Sequence, residues 1–291
     1  MPEGQIIRAV SGFYYVRTEE GDIQCRARGV FKKKKWTPLV GDWVEFESTG
    51  PGEGVVTHLH PRKTELLRPP MANVSQAVVV ASLENPAFQQ ELVDRFLVHA
   101  EEEGLRVLIC LTKWDLVKDD EEVARIQRIY ESVGYSVLTT SIRTGEGIEK
   151  LKEELSGRLS VLAGQSGVGK SSLLNAIHPG FQLQTGEVSR KLGRGRHTTR
   201  HVEILDLPSG GKVADTPGFS QLAFRDMEPA DLGTCFPEIR LRLPECRFRG
   251  CLHLKEPHCQ VRVAVEQGEI NRDRYRHYLN FLQEIHEQRR Y

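Results

Sequence analysis

The sequence has no apolar run that approaches the ~20 residues a helix needs to span a bilayer. Its first residues, MPEGQIIRAV, also lack the long apolar core of a secretion signal. Six cysteines in 291 residues are too few for a disulfide scaffold, and we find no internal repeat or low-complexity tract. These absences predict a cytoplasmic protein that keeps its cysteines reduced and does not contact a membrane.

A net charge is absent as well, because 40 Lys and Arg residues balance 40 Asp and Glu residues. The total charge therefore does not indicate whether the protein binds nucleic acid, but the distribution is more informative. The segment from Arg26 to Lys35 is basic and contains no acidic residue, and the stretch from Arg240 onward is also rich in Arg. Such segments suit the phosphates of RNA, although a lysine run is also compatible with a solvated loop.

The length allows two or three domains. Residues 1–68 contain short runs rich in Val, Ile, Phe and Tyr between turn residues, which predicts an OB-type β-barrel that binds RNA. In residues 69–222 strands alternate with helices, so an α/β fold with a mainly parallel sheet is expected. Residues 223–291 predict a mainly helical domain with a metal site, in which 229–236 form a short helix and 260–291 are helical.

A phosphate-binding loop is predicted at Gly164 to Ser171, which fits G-x-x-x-x-G-K-[ST] between a predicted strand and a predicted helix. Its glycines let backbone N–H groups turn toward phosphates, where the positive helix end adds to them. Lys170 is expected to reach the terminal phosphates and Ser171 to ligate Mg²⁺. The predicted phosphate contacts are Gly164, Gln165, Ser166, Gly167, Val168, Gly169, Lys170, Ser171 and Ser172.

Asp215-Thr-Pro-Gly218 follows another predicted strand, as the Mg²⁺-side motif of a P-loop NTPase should. We expect Asp215 to hold the metal through water and the Gly218 N–H to contact the third phosphate. Between the two motifs lies the basic segment GRGRHTTR, where a mobile switch should be. Thr198 or Thr199 is then the further Mg²⁺ ligand, with Thr198 preferred, whereas a basic loop that only binds RNA is the alternative.

A catalytic group is not obvious, because Phe219 occupies the position where many GTPases have a glutamine that orients water. His197 is the nearest side chain able to orient water or act as a general base. We therefore expect a low intrinsic rate and name His197, Thr198 and Lys170 as catalytic candidates.

The choice of base is predicted to depend on Thr112-Lys113-Trp114-Asp115, at the end of a strand. It is similar to the N-K-x-D motif of GTPases, with Thr112 in place of Asn. The Asp115 carboxylate can accept two hydrogen bonds from guanine N1–H and N2–H₂, which adenine does not offer. An aspartate that only caps the next helix is the alternative. Ser141, after the following strand, is predicted to belong to the loop that contacts guanine O6.

Three cysteines and a histidine crowd into one short segment: Cys246, Cys251, His253 and Cys259. Three thiolates and one imidazole suffice for a closed, tetrahedral Zn²⁺ site. His258 is an alternative to His253 as fourth ligand, and buried thiols without a metal are the alternative to a site.

The order of these motifs is unusual, because the base-reading motif precedes the phosphate loop, whereas in ordinary GTPases it follows. With TKWD, GQSGVGKSSL, GRHTT and DTPG in this order and a C-terminal Cys/His cluster, the chain resembles the RsgA (ribosome small subunit-dependent GTPase A) family of circularly permuted GTPases along nearly its whole length.

The resemblance implies a slow GTPase that produces GDP and phosphate. It also implies stimulation by the small (30S) ribosomal subunit late in its maturation, and contacts with 16S rRNA through both flanking domains. A monomer with one structural Zn²⁺, using Mg²⁺ with GTP, is expected.

Two other functions fit parts of the sequence. A metabolic P-loop kinase or ATPase would not need Asp115 or the switch segment. A zinc-containing RNA-binding module would use the nucleotide only as a structural ligand.

Overall fold

The computed structural model describes residues 1–27, 37–67, 69–181, 183, 202–215, 223–224 and 227–289. The chain divides into two compact units, each built from separate stretches of sequence. The first unit contains Met1–Val78, Ile148–Ala163 and Gly169–Ser220, and the second contains Val79–Gly147, Gly164–Val168 and Gln221–Tyr291. Both units therefore draw on the α/β part of the chain.

In the described residues the strands are β1 Glu3–Val10, β2 Phe13–Thr18, β3 Gly21–Ala27, β4 Trp43–Gly50, β5 Glu53–Leu59, β6 Glu65–Leu67, β7 Pro70–Ala72, β8 Gln76–Ser82, β9 Arg106–Thr112, β10 Ser136–Thr140, β11 Leu159–Ala163, β12 Glu203–Asp206 and β13 Lys212–Asp215. The α-helices in the same residues are α1 Gln90–Glu102, α2 Asp120–Glu131, α3 Ile148–Leu155, α4 Lys170–Ile177, α5 Pro237–Arg240, α6 Gln260–Glu266 and α7 Arg272–Gln288. Among the described residues, strands and helices alternate from β8 to β12, as predicted.

The first five strands close into a barrel. β1 is antiparallel to β2 and to β4, β2 is antiparallel to β3, β3 is parallel to β5, and β5 is antiparallel to β4. Alternating apolar side chains fill the interior, among them Ile6, Val16, Val44 and Val56, each of which is fully buried. The predicted N-terminal five-stranded barrel is thus confirmed.

The barrel continues into further strands of the first unit, because Arg8 on β1 is the register partner of Glu203 on β12. β12 and β13 form an antiparallel hairpin, and β13 runs parallel to β11. Lys212 Nζ donates to Gln5 Oε1 at 2.6 Å, which ties β13 to the barrel. The strand that leads into the phosphate loop is therefore part of the same sheet as β1.

In the second unit β8, β9 and β10 lie side by side, with β9 and β10 parallel and Thr112 opposite Thr140. β8 is buried along its whole length, as expected of a strand that is covered on both faces. α1 buries Val93, Phe96 and Leu97 in this unit. The parallel register brings the polar ends of β9 and β10 to the same edge of the sheet.

The C-terminal segment differs from the prediction in two places. The short helix predicted over residues 229–236 is a 3₁₀ helix that spans only Leu232–Cys235, and it ends at Phe236, which precedes Pro237 and takes an extended conformation, φ −111°. The helix predicted over 260–291 is two helices, since Gly268 takes a positive φ of 79° and ends the first. Asn271 then caps α7 by accepting hydrogen bonds from Asp273 N and Arg274 N.

Four charged or titratable side chains, Asp94, Glu238, Arg274 and His277, form a buried ion cluster in the second unit. Arg274 is 1% exposed, contacts Glu238 through two nitrogens at 2.5 and 3.0 Å, and contacts Asp94 Oδ1 at 2.5 Å. His277 Nδ1 lies 2.6 Å from the other Asp94 oxygen. The cluster joins α1 to α5 and α7, so the C-terminal helices are fixed to the α/β part of this unit.

Along the described part of the chain, no helix combines the length and the apolar character that crossing a membrane requires.

Candidate functional site

The base-reading motif sits where β9 ends and the chain turns sharply. Lys113 adopts a left-handed conformation, φ 62°, and a 3₁₀ turn follows over Trp114–Leu116. Thr112 is 6% exposed, and its hydroxyl donates to the Val168 carbonyl at 2.7 Å. Lys113 Nζ donates to the carbonyls of Gly167, at 3.0 Å, and Asn85. Thr112 and Lys113 therefore brace the first part of the phosphate loop against the base-reading motif.

The Asp115 carboxylate is held in place by its neighbours on the next loop. Ser141 Oγ donates to Asp115 Oδ1 at 2.6 Å, and Arg143 Nη1 lies 3.9 Å from Oδ2. The side chain of Asp115 is 13% exposed, and an aspartate that accepts such bonds at the end of a parallel strand is positioned to receive donors from a ligand. Asp115 is not the cap of α2, because Asp119 accepts the hydrogen bonds from Glu121 N and Glu122 N.

The loop after β10 is folded tightly around Ser141. Ser141 N donates to Glu146 O at 3.0 Å, and Thr144 N donates to Ser141 Oγ at 3.2 Å. Gly147 closes the loop with φ 73°, and a side chain there would place its Cβ 2.1 Å from the Thr139 carbonyl. The hydrogen bond from Ser141 thus places this loop beside the Asp115 carboxylate.

The phosphate loop begins immediately after β11 and ends at the start of α4. Gly164 passes so close to β8 that a Cβ would lie 2.3 Å from the Val80 carbonyl, and its φ of 152° also disfavours other residues. Gly167 and Gly169 take positive φ values of 86° and 100°, and α4 starts at Lys170. Burial lowers the pKa of the Lys170 ammonium, which an anionic phosphate would oppose. Ser171 and Ser172 lie in the first turn of α4.

The predicted Mg²⁺ side is only partly described. β13 ends at Asp215, which lies opposite Glu203 on β12. On the other side of β13, Val213 lies opposite Ser160 on β11. His197, Thr198, Thr199 and Gly218 lie outside the described residues. Their predicted roles stay predictions.

The four predicted metal ligands are brought together in the second unit. One ligand atom from each of Cys246, Cys251, His253 and Cys259 lies within 4.8 Å of the others. His253 Nδ1 is 3.3 Å from Cys259 Sγ and 3.7 Å from Cys246 Sγ, and His253 is 1% exposed. The group contains His253, whereas His258 is exposed.

The chemistry of this group fits a metal cation. Burial raises the pKa of the Cys251 thiol to about 12 and lowers the pKa of the His253 imidazole. Burial without a cation thus favours neutral ligands. A divalent cation bound by the thiolates would reverse the preference of the cysteines. Three soft sulfur ligands and one imidazole are the donor set of structural zinc sites.

Three residues that the sequence analysis missed hold the metal loop in shape. The Glu256 carboxylate accepts hydrogen bonds from the N–H groups of Leu252, Leu254 and Lys255 at 2.8, 2.7 and 3.0 Å. Tyr275 OH donates to the His253 carbonyl at 2.5 Å and Tyr278 OH to the Leu252 carbonyl at 2.9 Å. The position of Glu256 between two ligands was a usable signal, whereas the tyrosines on α7 carry none.

Comparison with known proteins identifies the family. The family model of the RsgA GTPase matches residues 59–225, and the family model of the RsgA N-terminal domain matches residues 3–56. The small ribosomal subunit biogenesis GTPase RsgA of Shouchella clausii is 52% identical over 292 residues, which cover 100% of this chain and 99% of that protein. The protein of the same name from Geobacillus kaustophilus is 53% identical over 291 residues, covering 99% of both.

Two solved structures share the arrangement. YloQ, described as a circularly permuted GTPase, superposes with a TM-score of 0.84 at 45% identity, covering 99% of this chain and 96% of the other. YjeQ from Thermotoga maritima gives a TM-score of 0.87 at 38% identity, covering 98% of both chains. The chain therefore belongs to the RsgA GTPase family and is a GTP-hydrolysing, circularly permuted P-loop GTPase.

Proposed function

We propose that this GTPase binds the small (30S) ribosomal subunit in the cytoplasm and hydrolyses GTP to GDP and phosphate during late maturation of that subunit. The bound subunit stimulates the hydrolysis. The names of its relatives, which are small ribosomal subunit biogenesis GTPases, support the process. The bracing of the phosphate loop by Thr112 and Lys113 supports the assignment to a nucleotide, because it joins the base-reading motif to the phosphate-binding one.

At the base, Asp115 accepts hydrogen bonds from guanine N1–H and N2–H₂. The hydrogen bond from Ser141 Oγ goes to Asp115 Oδ1 and fixes the plane of the carboxylate. A backbone N–H group of the loop from Ser141 to Gly147 contacts guanine O6, while the N–H groups of Ser141 and Thr144 hold the loop in shape. Adenine has an acceptor at N1 and a donor at its 6-amino group, so it would meet the wrong partner at both positions.

At the phosphates, the backbone from Gly164 to Ser172 supplies N–H donors, and Lys170 supplies a positive charge. Ser171, Thr198 and Asp215 would hold Mg²⁺, which neutralises charge that develops on the phosphate oxygens. His197 would orient the attacking water, since Phe219 has no group that can form a hydrogen bond.

The cysteine and histidine cluster holds one structural Zn²⁺ per chain. All four ligand positions are supplied by the protein, which is the closed arrangement of structural rather than catalytic sites. The surface beside the cluster suits RNA. Phe248 is 44% exposed between Arg247 and Arg249, and the Arg247 guanidinium lies 5.6 Å from the centre of its ring. An exposed aromatic ring flanked by arginines can stack on a base while the cations contact phosphates.

The test compares turnover of GTP and ATP by the protein, with and without small subunits at low salt, and with large subunits as the control. We expect slow GTP hydrolysis by the free chain, a large increase with small subunits only, and negligible ATP turnover. Lys170→Ala should abolish hydrolysis, and His197→Ala should lower stimulated turnover more than nucleotide affinity. An unchanged rate with small subunits would contradict the proposal, and equal rates with ATP would favour an ATPase.

Sedimentation separates binding from stimulation. The chain, expected to be a monomer by itself, should sediment with small subunits in a non-hydrolysable GTP analogue and be released in GDP. Association with large subunits alone would refute the assignment to small-subunit maturation.

A further inference from the structure

The outer face of the barrel carries a second group of potential metal ligands. We propose that Glu45, His58 and His60, assisted by Glu3, form a binding site for a divalent transition-metal cation such as Zn²⁺. One ligand atom from each of Glu45, His58 and His60 lies within 4.8 Å of the others. The site is separate from the cysteine cluster in sequence and in ligand type, and the nucleotide chemistry does not use it.

Strand register places these side chains in one row. Glu45 on β4 is the partner of His58 on β5, and Glu3 on β1 is the partner of Glu45 across the other ladder. Paired residues of neighbouring strands point to the same face of a sheet. Because Val44 and Phe46 are buried in the barrel, Glu45 and its partners face outward.

A β-bulge brings both histidines to this face. The register changes from Glu45 opposite His58 to Phe46 opposite Val56, so that Thr57 has no partner of its own. Val56 and Leu59 are consequently both buried, which a regular alternation would not allow. His58 and His60, on either side of Leu59, then share the outer face, and a hydrogen bond from His60 N to Trp43 O at 2.9 Å keeps the chain paired to β4. Bulges commonly re-aim side chains at functional positions.

The two imidazoles and the nearby carboxylates are arranged around a common point, as the ligands of a metal ion are. The imidazole rings stand at 88° to each other with centres 5.5 Å apart. His60 Nε2 is shielded from solvent and has no hydrogen-bond partner among the described residues, and the nearest carboxylate oxygen, Glu3 Oε2, is 3.6 Å away. A cation between these groups would satisfy that nitrogen and the carboxylates together.

The donor set indicates the class of cation. Two imidazoles with one or two carboxylates suit Zn²⁺, Ni²⁺, Co²⁺ or Cu²⁺, whereas Ca²⁺ and Mg²⁺ prefer oxygen alone. Ligands at about 2.0–2.2 Å from zinc lie closer together than 4.8 Å, so the side chains of the site must rotate slightly toward the ion. The two carboxylates supply charge that balances the cation.

Zinc uptake by untagged protein tests the proposal without depending on GTPase activity. Bound zinc per chain and the affinity of the weaker site are measured by dialysis against buffered Zn²⁺ and by calorimetry. The variants are His58→Ala, His60→Ala, the double variant and Glu45→Gln, and His286→Ala on α7 is the matched control. Circular dichroism verifies that each variant is folded.

We expect the wild type to take up one more Zn²⁺ than the double variant, whatever the occupancy of the cysteine cluster. Each single substitution should weaken the site by roughly 10- to 100-fold or more, as loss of even an outer-shell partner does, and His286→Ala should leave it unchanged. Equal uptake by wild type and double variant overturns the proposal.

Hydrogen exchange on the wild type gives a second measurement that needs no substitution. Zinc should slow exchange in residues 3–5, 43–47 and 56–60 of the barrel. Uptake of the additional ion without protection in these strands shows that it binds elsewhere, which also overturns the proposal.

Discussion

The hydroxyl of Thr112 offers a sharp test of the base-reading half of the site. Thr112→Val keeps the shape of the side chain and removes the hydroxyl, which donates to the Val168 carbonyl at 2.7 Å and also lies 3.4 Å from the Ala81 carbonyl. Val168 is 2% exposed, so water cannot easily replace the lost donor. Leaving a buried carbonyl without its partner costs about 1–3 kcal/mol. If the loop relaxes in the free protein and must be restored on binding, this cost corresponds to a loss of roughly 5- to 150-fold in GDP affinity.

The assay measures the Kd for GDP by fluorescence titration and the free energy of unfolding by denaturant, since the cost divides between the two quantities. Thr112→Asn, which restores the usual GTPase residue and a donor, should bind GDP within about threefold of the wild type, because a bond of about 1 kcal/mol is kept. Thr140→Val is the matched control, since its hydroxyl lies 3.4 Å from both the Leu111 carbonyl and the Cys110 sulfur and makes weaker bonds. Wild-type values of both quantities in Thr112→Val would falsify the reasoning that this hydroxyl braces the phosphate loop.

Two further predictions concern the C-terminal helices. Arg274→Met should lower the free energy of unfolding by about 3–5 kcal/mol, because it leaves the buried carboxylates of Asp94 and Glu238 without their cation. Arg276→Met, at an exposed position on the same helix, should change the free energy of unfolding little. An equal effect of both substitutions would contradict the stabilising role of the buried ion cluster. Removal of metal by a chelator, or Cys251→Ser, should release one Zn²⁺ per chain and accelerate hydrogen exchange after residue 240, whereas unchanged exchange in metal-free protein would show that the cysteines bind no structural ion.

The parts of the molecule that are encoded locally could be predicted from the sequence. The phosphate loop follows from glycines that permit positive φ values, and the buried strand β8 follows from a continuous apolar run. The order of the two nucleotide motifs gave the circular permutation, which the similarity to YloQ confirms. The roles assigned to individual site residues, and the domain limits at 68/69 and 222/223, stay predictions.

Features that depend on distant partners could not be predicted. Arg274 lies on a charged helix that looks solvent-exposed in sequence, yet it is buried because Asp94 and Glu238 meet it from other elements. Thr112 was recognised only as a replacement for Asn, since its partner Val168 is 56 residues away. His58 and His60 alternate in the sequence like any strand residues, and only the bulge at Thr57 shows which face they occupy.

The buried ion cluster also sets the order of events during synthesis. Asp94 and Arg274 are 180 residues apart, so a ribosome that adds roughly 5–20 residues per second needs about 10–40 s between them. Throughout that interval Asp94 has no cation to accompany it into the interior, and α1 cannot bury that face at low cost. The second unit can therefore reach its final packing only when the last helix has left the ribosome.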